Sequence, residues 1–311
     1  MKKWIVSSSP HIRSKQTTSS VMRDVLIALL PAAGASIWVF GIKAFYLMGL
    51  CVFFCIGFEY ISQTLLKRTV TIKDLSAAVT GLLIAFNLPI NAPWWLCLIG
   101  CFFAIVIVKQ LFGGIGHNFM NPALAARVLL VASWPTRMTG GAFLPVDAAT
   151  SATPLAIVKE GLTEALPSYS QLFLGGPGVY GCIGEISALA LIIGGIYLLL
   201  RRVISPVIPV VYIGTVGVFA LIAGQDVLFQ LFSGGLMLGA IFMATDYVTT
   251  PTSFSGQCIF ALGCGLITCI IRFYGGYPEG VSYSILLMNV LTPLIEKFTR
   301  PKKYGEVKNR A

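Results

Sequence analysis

The feature that most constrains this chain is a succession of apolar runs of helix length, separated by short polar links. Ten can be read: about Met22–Phe40, Phe45–Leu66, Leu75–Leu88, Trp94–Leu111, Pro122–Trp134, Cys182–Leu200, Val207–Ala223, Val227–Ala244, Gln257–Phe273 and Val281–Ile295. A helix needs about 20 apolar residues to cross a bilayer. In lipid the backbone must satisfy itself, so a chain of such runs folds as a bundle of helices. Only 11 % of residues are charged, against about 25 % in a soluble domain. The expectation is an all-α polytopic membrane protein. The third and fifth runs are short. Each is either a half-helix ending inside the protein, with its polar end lining a cavity, or a steep span with misjudged ends.

The net charge is +10, but its distribution does not suit nucleic acid. Lys2, Lys3, Arg13, Lys15, Arg23, Lys67, Arg68, Lys73, Lys109, Arg201, Arg202, Lys297, Arg300, Lys302, Lys303, Lys308 and Arg310 fall on one side of a ten-span layout. The other side has Lys43, Arg137, Lys159 and Arg272, with Arg127 undecided inside the fifth run. The positive-inside rule therefore puts both termini in the cytoplasm and residues 135–179 outside. The polar start lacks the form of a secretory signal. The eight cysteines form no Cys-x-x-Cys pair, and His11 and His117 are too far apart to nucleate a metal site. Buried cysteine serves as a small hydrophobe.

A weak internal repeat is present. Lys109-Gln110-Leu111-Phe112-Gly113-Gly114 ends the fourth run, and Arg272-Phe273-Tyr274-Gly275-Gly276 ends the ninth. Asp74 precedes the third run as Asp226 precedes the eighth. With five spans per half, matching elements have opposite orientations, the inverted-repeat plan. Residues 1–134 and 180–300 form the halves, 135–179 the outward segment and 301–311 a basic cytoplasmic tail.

Three polar stretches could carry chemistry. In Asp147-Ala148-Ala149-Thr150-Ser151-Ala152-Thr153-Pro154-Leu155, Thr is a good N-cap and Pro suits a first helical turn. A short helix over Leu155–Glu160 is expected, stopped at Gly161. Helix starts suit anions, so a phosphate on the Thr153 hydroxyl would sit in a favourable field. A plain Thr-Pro cap accounts for the same residues. Gly113-Gly114-Ile115-Gly116-His117-Asn118-Phe119-Met120-Asn121-Pro122 is either a tight turn or a loop able to hold a flat heterocycle on amides and Asn side chains. It lacks the Lys-Ser/Thr of a phosphate-binding loop. Asp246 to Ser253 gathers hydroxyls and a carboxylate, with Thr250-Pro251 as another helix start, and reads equally as a solvated turn. Glu59 and Glu185, at membrane depth, are candidates for an ion path. Asp24, Asp74 and Asp226 read as helix caps. No catalytic triad, carboxylate pair or metal cluster is legible.

Together, Asp147-x-x-Thr150-Ser151-Ala152-Thr153, the following Pro154-Leu155, the Gly-Gly-x-Gly-x-Asn loop and the ten-span layout resemble the RnfD family, the D-type membrane component of the Rnf electron-transport complex. The B-type component of the sodium-pumping NADH:quinone oxidoreductase (NqrB) is the related alternative, and usually has a longer N-terminal region. A secondary transporter or channel would account for the spans but not for the Thr153 motif. Ser151 stands where such motifs often have Gly. The resemblance implies FMN esterified to Thr153, with Asp147, Thr150 and Ala152 recognised by an extracytoplasmic flavin transferase. It implies a membrane subunit with no catalysis of its own. Electrons would pass between ferredoxin and NAD, coupled to sodium or proton movement. The partners would be the A, B, C, E and G components of the Rnf complex, in a bacterial or archaeal inner membrane. The resemblance also implies a non-covalent riboflavin, for which Gly113, Gly114, Gly116, Asn118 and Asn121 of the glycine-rich loop are candidate contacts, and a urea-transporter-like ten-helix fold.

Overall fold

The computed structural model describes residues 16–139, 153–160, 166–176, 179, 181–277 and 279–300. Among them there is no strand, and most of these residues are helical. Its helices are α1 (Thr18–Phe40), α2 (Ile42–Leu65), α3 (Ser76–Phe86), α4 (Trp94–Phe102), α5 (Pro122–Ser133), α6 (Pro135–Met138), α7 (Pro154–Glu160), α8 (Tyr169–Leu174), α9 (Ala188–Leu200), α10 (Val207–Ile222), α11 (Val227–Phe232), α12 (Leu236–Leu238), α13 (Phe254–Tyr274) and α14 (Val281–Thr299). By length and composition, α1, α2 and α13 can cross a membrane. Their outward faces carry bulky apolar groups such as Trp38 and Phe53, about 70 % exposed. A water-soluble protein rarely shows such contiguous apolar faces.

The third and fifth runs are short helices of 11 and 12 residues. Several other expectations need correction. The sixth helix begins at Ala188, not Cys182; Ile183–Glu185 is a 3₁₀ turn ahead of it. Glu185 therefore stands at a helix entrance rather than within a span. The eighth run is broken at Ser233–Gly235, where Gly234 takes φ +68°. Only glycine adopts that left-handed backbone without strain. The chain resumes as α12 and a π-turn over Gly239–Met243. Thr250-Pro251 starts no helix; Ser253 caps α13 by accepting from the Gly256 N–H. Asp24 is not a cap: it is buried and pairs with Tyr197 of α9 and with Arg201 just after it. Asp74 does act as a cap, accepting from the Ser76 N–H at 2.8 Å and its hydroxyl at 2.6 Å. Asp226 caps α11 through the Phe229 N–H at 3.1 Å. The Tyr169 hydroxyl also donates to Asp226, and that bond holds its carboxyl below the ordinary range.

α1 packs on α9, α5 on α14, and α10 on α13. The α1–α9 contact is close because Gly194 has no side chain. A Cβ there would lie 2.0 Å from the Ala28 carbonyl oxygen, and helix backbone cannot yield as a flexible side chain would. Gly194→Ala is expected to destabilise the chain by about 1–3 kcal/mol, the usual cost of overpacking. A thermal unfolding midpoint in detergent equal to wild type would show that the two helices separate freely.

Candidate functional site

Two cavities flank α5. Its first turn, Pro122 and Ala123, lines one of about 650 Å³. Arg127, Val128 and Val131 further along line another of about 400 Å³. Both volumes suit a small organic ligand. The start of α5 follows the pattern expected of Asn-Pro: the Asn121 side chain accepts from the Ala123 and Leu124 N–H groups at 3.0 and 3.3 Å, and Pro122 occupies the first turn.

Thr153 lies on the smaller cavity. It caps α7 as its sequence suggests: its hydroxyl accepts from the Ala156 N–H at 3.3 Å and its carbonyl from the Ile157 N–H at 2.9 Å. α7 covers Pro154–Glu160. Two attachments hold it. Leu155 packs into a small apolar cluster with Leu172, Val179 and Phe229. The Lys159 ammonium donates to the carbonyls of Ile271, at 3.2 Å, and of Tyr277. Tyr277 and Tyr283 stack with ring centroids 5.3 Å apart, and both line the cavity. Asp147, Thr150 and Ala152 lie outside the described residues.

The same cavity carries a largely buried charged cluster. The Arg127 guanidinium donates to Asn87 Oδ1 at 2.8 Å, to Glu185 Oε1 at 3.2 Å, to Cys182 Sγ at 3.5 Å and to Glu279 Oε2. Glu279 also accepts from the Gly235 N–H in the break of the eighth run. Arg272, behind Gly234, donates to the Gln230 and Ser233 carbonyls at 2.7 and 3.2 Å. Its Nε is buried with no partner among the described residues. A cation away from water needs counter-charge and acceptors, and side chains from three separate segments supply them to Arg127.

The larger cavity is lined by Ser76, Thr80, Lys109, Gly116, Asn118, Asn121, Thr245 and Asp246, among others. Gly113 and Gly114 do not reach it. Like Gly116 they have positive φ, and they shape the turn, with Gly113 against His117. Glu59 lies behind this cavity, 1 % exposed, accepting from Lys109 at 2.9 and 3.1 Å, from Gln110 at 2.9 Å and from Gln63 at 3.2 Å. Lys109 also donates to the Ser76 hydroxyl at 2.6 Å. Lys109 and Gln110 share this burial because the helix after α4 runs as a π-helix over Phe103–Gln110. π-turns recur at functional sites.

Thus Thr153 and Glu185 share one cavity; Gly116, Asn118 and Asn121 share the other. Sequence reasoning missed Glu279, which reads as an ordinary turn acid in Tyr277-Pro278-Glu279-Gly280. It also left the partners of Arg127 and Lys109 unassigned. The available signal was Arg127 itself: a lone cation in an apolar helix requires a buried counter-charge.

Residues 5–305 match the family model described as the NQR2, RnfD, RnfE family. The chain is 59 % identical over 304 residues to the D-type component of the Na(+)-translocating ferredoxin:NAD(+) oxidoreductase complex of Acetobacterium woodii, covering 97 % of this chain and 96 % of that one. It is 44 % identical to the D-type component of the proton-translocating ferredoxin:NAD(+) oxidoreductase complex of Clostridium ljungdahlii, covering 96 % of each. It is 38 % identical to the D-type component of the ion-translocating oxidoreductase complex of Alcanivorax borkumensis, covering 97 % and 96 %. The family model covers nearly the whole chain, and the relatives match end to end: this chain belongs to the NQR2, RnfD, RnfE family.

Proposed function

We propose that this chain is the membrane subunit of a redox-driven ion pump, the counterpart of the RnfD component in ion-translocating ferredoxin:NAD oxidoreductases. Thr153 carries FMN through a phosphoester, attached by an extracytoplasmic flavin transferase that recognises Asp147, Thr150 and Ala152. The observation that carries the reading is Thr153 on the rim of a cavity that also has a stacked tyrosine pair and a buried guanidinium. The donor set fits a flavin. The hydroxyl supplies the ester oxygen. The tyrosines and Phe232 offer apolar ring surface, and the Arg127 guanidinium offers a cation on the same lining. When bound, FMN supplies the electron chemistry, and the protein supplies position and electrostatics. α7 fixes Thr153, Lys159 ties α7 to the tyrosine-bearing segment, and Arg127 presents a fixed charge.

In this reading Gly116, Asn118 and Asn121 contact a non-covalent riboflavin in the larger cavity, with Gly113 and Gly114 setting their loop. Ten spans form a five-plus-five inverted repeat, supported by the pairing of first helix with sixth (α1, α9) and fifth with tenth (α5, α14). Both termini are cytoplasmic and the Thr153 segment is outside. Glu59 and Glu185 belong to the path of the coupled ion, sodium or proton, and the partners are the other Rnf subunits. The direct test is the mass of the peptide containing Thr153 from natively produced protein. An added FMN ester is expected, and an unmodified peptide from cells with an active transferase refutes the reading.

A further inference from the structure

Four charged groups meet at the Thr153 cavity. Arg127, Glu185 and Glu279 line it, and Arg272 lies just behind Gly234 with Nη2 3.3 Å from where a Cβ of that glycine would be. Two guanidiniums face two carboxylates, so the cluster is formally neutral. It is also rigid. Asn87 at the end of α3, Cys182 and Glu185 around the 3₁₀ turn, and Glu279 ahead of α14 grip Arg127 from three sides. In so buried a setting one added or removed charge is felt far more strongly than in water.

We propose that this cluster sets the reduction potential of the group tethered to Thr153, with Arg127 as the positioning cation and Glu185 and Glu279 as its counterweight. The proposal rests on the flavin reading above. When bound, the flavin would supply one-electron chemistry, accepting an electron from an iron–sulfur or flavin carrier of a neighbouring protein and passing it to the next such carrier, with no protein bond formed or broken. Arg127 would favour added negative charge on the group, and the carboxylates would oppose it. The balance predicts shifts of opposite sign, which a purely structural role does not.

The test is a potentiometric titration of the full-length flavinylated chain, followed by flavin absorbance. Covalent loading is first verified by fluorescence in a denaturing gel. Arg127→Gln is expected to lower the reduced-to-oxidised ratio at a fixed poise at least tenfold, equivalent to about 59 mV for a one-electron couple. Glu185→Gln and Glu279→Gln are expected to raise it by a similar factor, and Arg127→Lys to stay near wild type. Arg127→Gln leaves two buried carboxylates without their cation and could fail to fold. The charge-balanced double variant Arg127→Gln with Glu279→Gln guards against that, and its potential is expected to return to the wild-type value. Shifts of one sign in all variants, changes under tenfold, or a double variant that remains displaced overturn the proposal. A wild-type chain without flavin overturns the functional reading instead, and the gel reveals that before any titration.

Discussion

Thr153→Val is expected to abolish the yellow-green fluorescence that the proposed ester would give the denatured wild-type chain in a gel when it is made alongside an active flavin transferase. The expected loss is complete, because Val has the shape of Thr but no oxygen to esterify. The change is otherwise small. The protein loses one acceptor for the Ala156 N–H, and an N-cap substitution costs roughly 0.5–2 kcal/mol. α7 keeps its apolar anchor at Leu155 and its Lys159 tie, so the variant is expected to fold and to accumulate normally. Thr139 is the internal control. It lines the same cavity, yet its hydroxyl donates to the Pro135 carbonyl at 2.7 Å. Thr139→Val is expected to fluoresce as wild type. A signal that survives Thr153→Val and vanishes in Thr139→Val would move the attachment point.

The second large effect is on stability. Lys109→Met removes the cation from a carboxylate that is 1 % exposed and leaves the Ser76 hydroxyl without its donor. Breaking a buried ion pair at one partner costs about 3–5 kcal/mol, because the remaining charge has neither water nor counter-ion. Replacing both partners with apolar groups, as in Glu59→Leu with Lys109→Met, is expected to recover most of that loss. Unfolding in mixed detergent reads both variants; a single variant as stable as wild type would show that Glu59 is neutral in the folded chain. Glu59→Gln keeps the shape and tests function separately. It is expected to retain the flavin while slowing ion uptake by vesicles containing the whole complex. Uptake at the wild-type rate takes Glu59 out of the ion path.

Local chemistry was readable where one residue decides the backbone. Asn121-Pro122 and Thr153-Pro154 both start helices, since cap and proline act within a single turn. Thr250-Pro251 has the same form and fails, because Ser253 three residues on provides the cap that α13 uses. The break in the eighth run was not readable as a break. Its glycines are near neutral in hydropathy and do not interrupt an apolar run, and the need for one arises from the Glu279 carboxylate seated on the Gly235 N–H. Glu185 looked like a mid-span acid because Cys182-Ile183-Gly184 is as apolar as a helix. Lys109 and Arg272 looked like charges that orient spans, yet both are buried. Pattern reading distinguishes charged from apolar positions; it cannot say which charge will find a partner fifty residues away, as Lys109 does in Glu59.

α5 runs from Asn121, on one chamber, to beyond Arg127, on the other. Six residues separate these two, which is about 9 Å along the axis. A short, stiff strut of this kind behaves as a lever. Any tilt that widens one compartment must also move the wall that the helix gives to its neighbour.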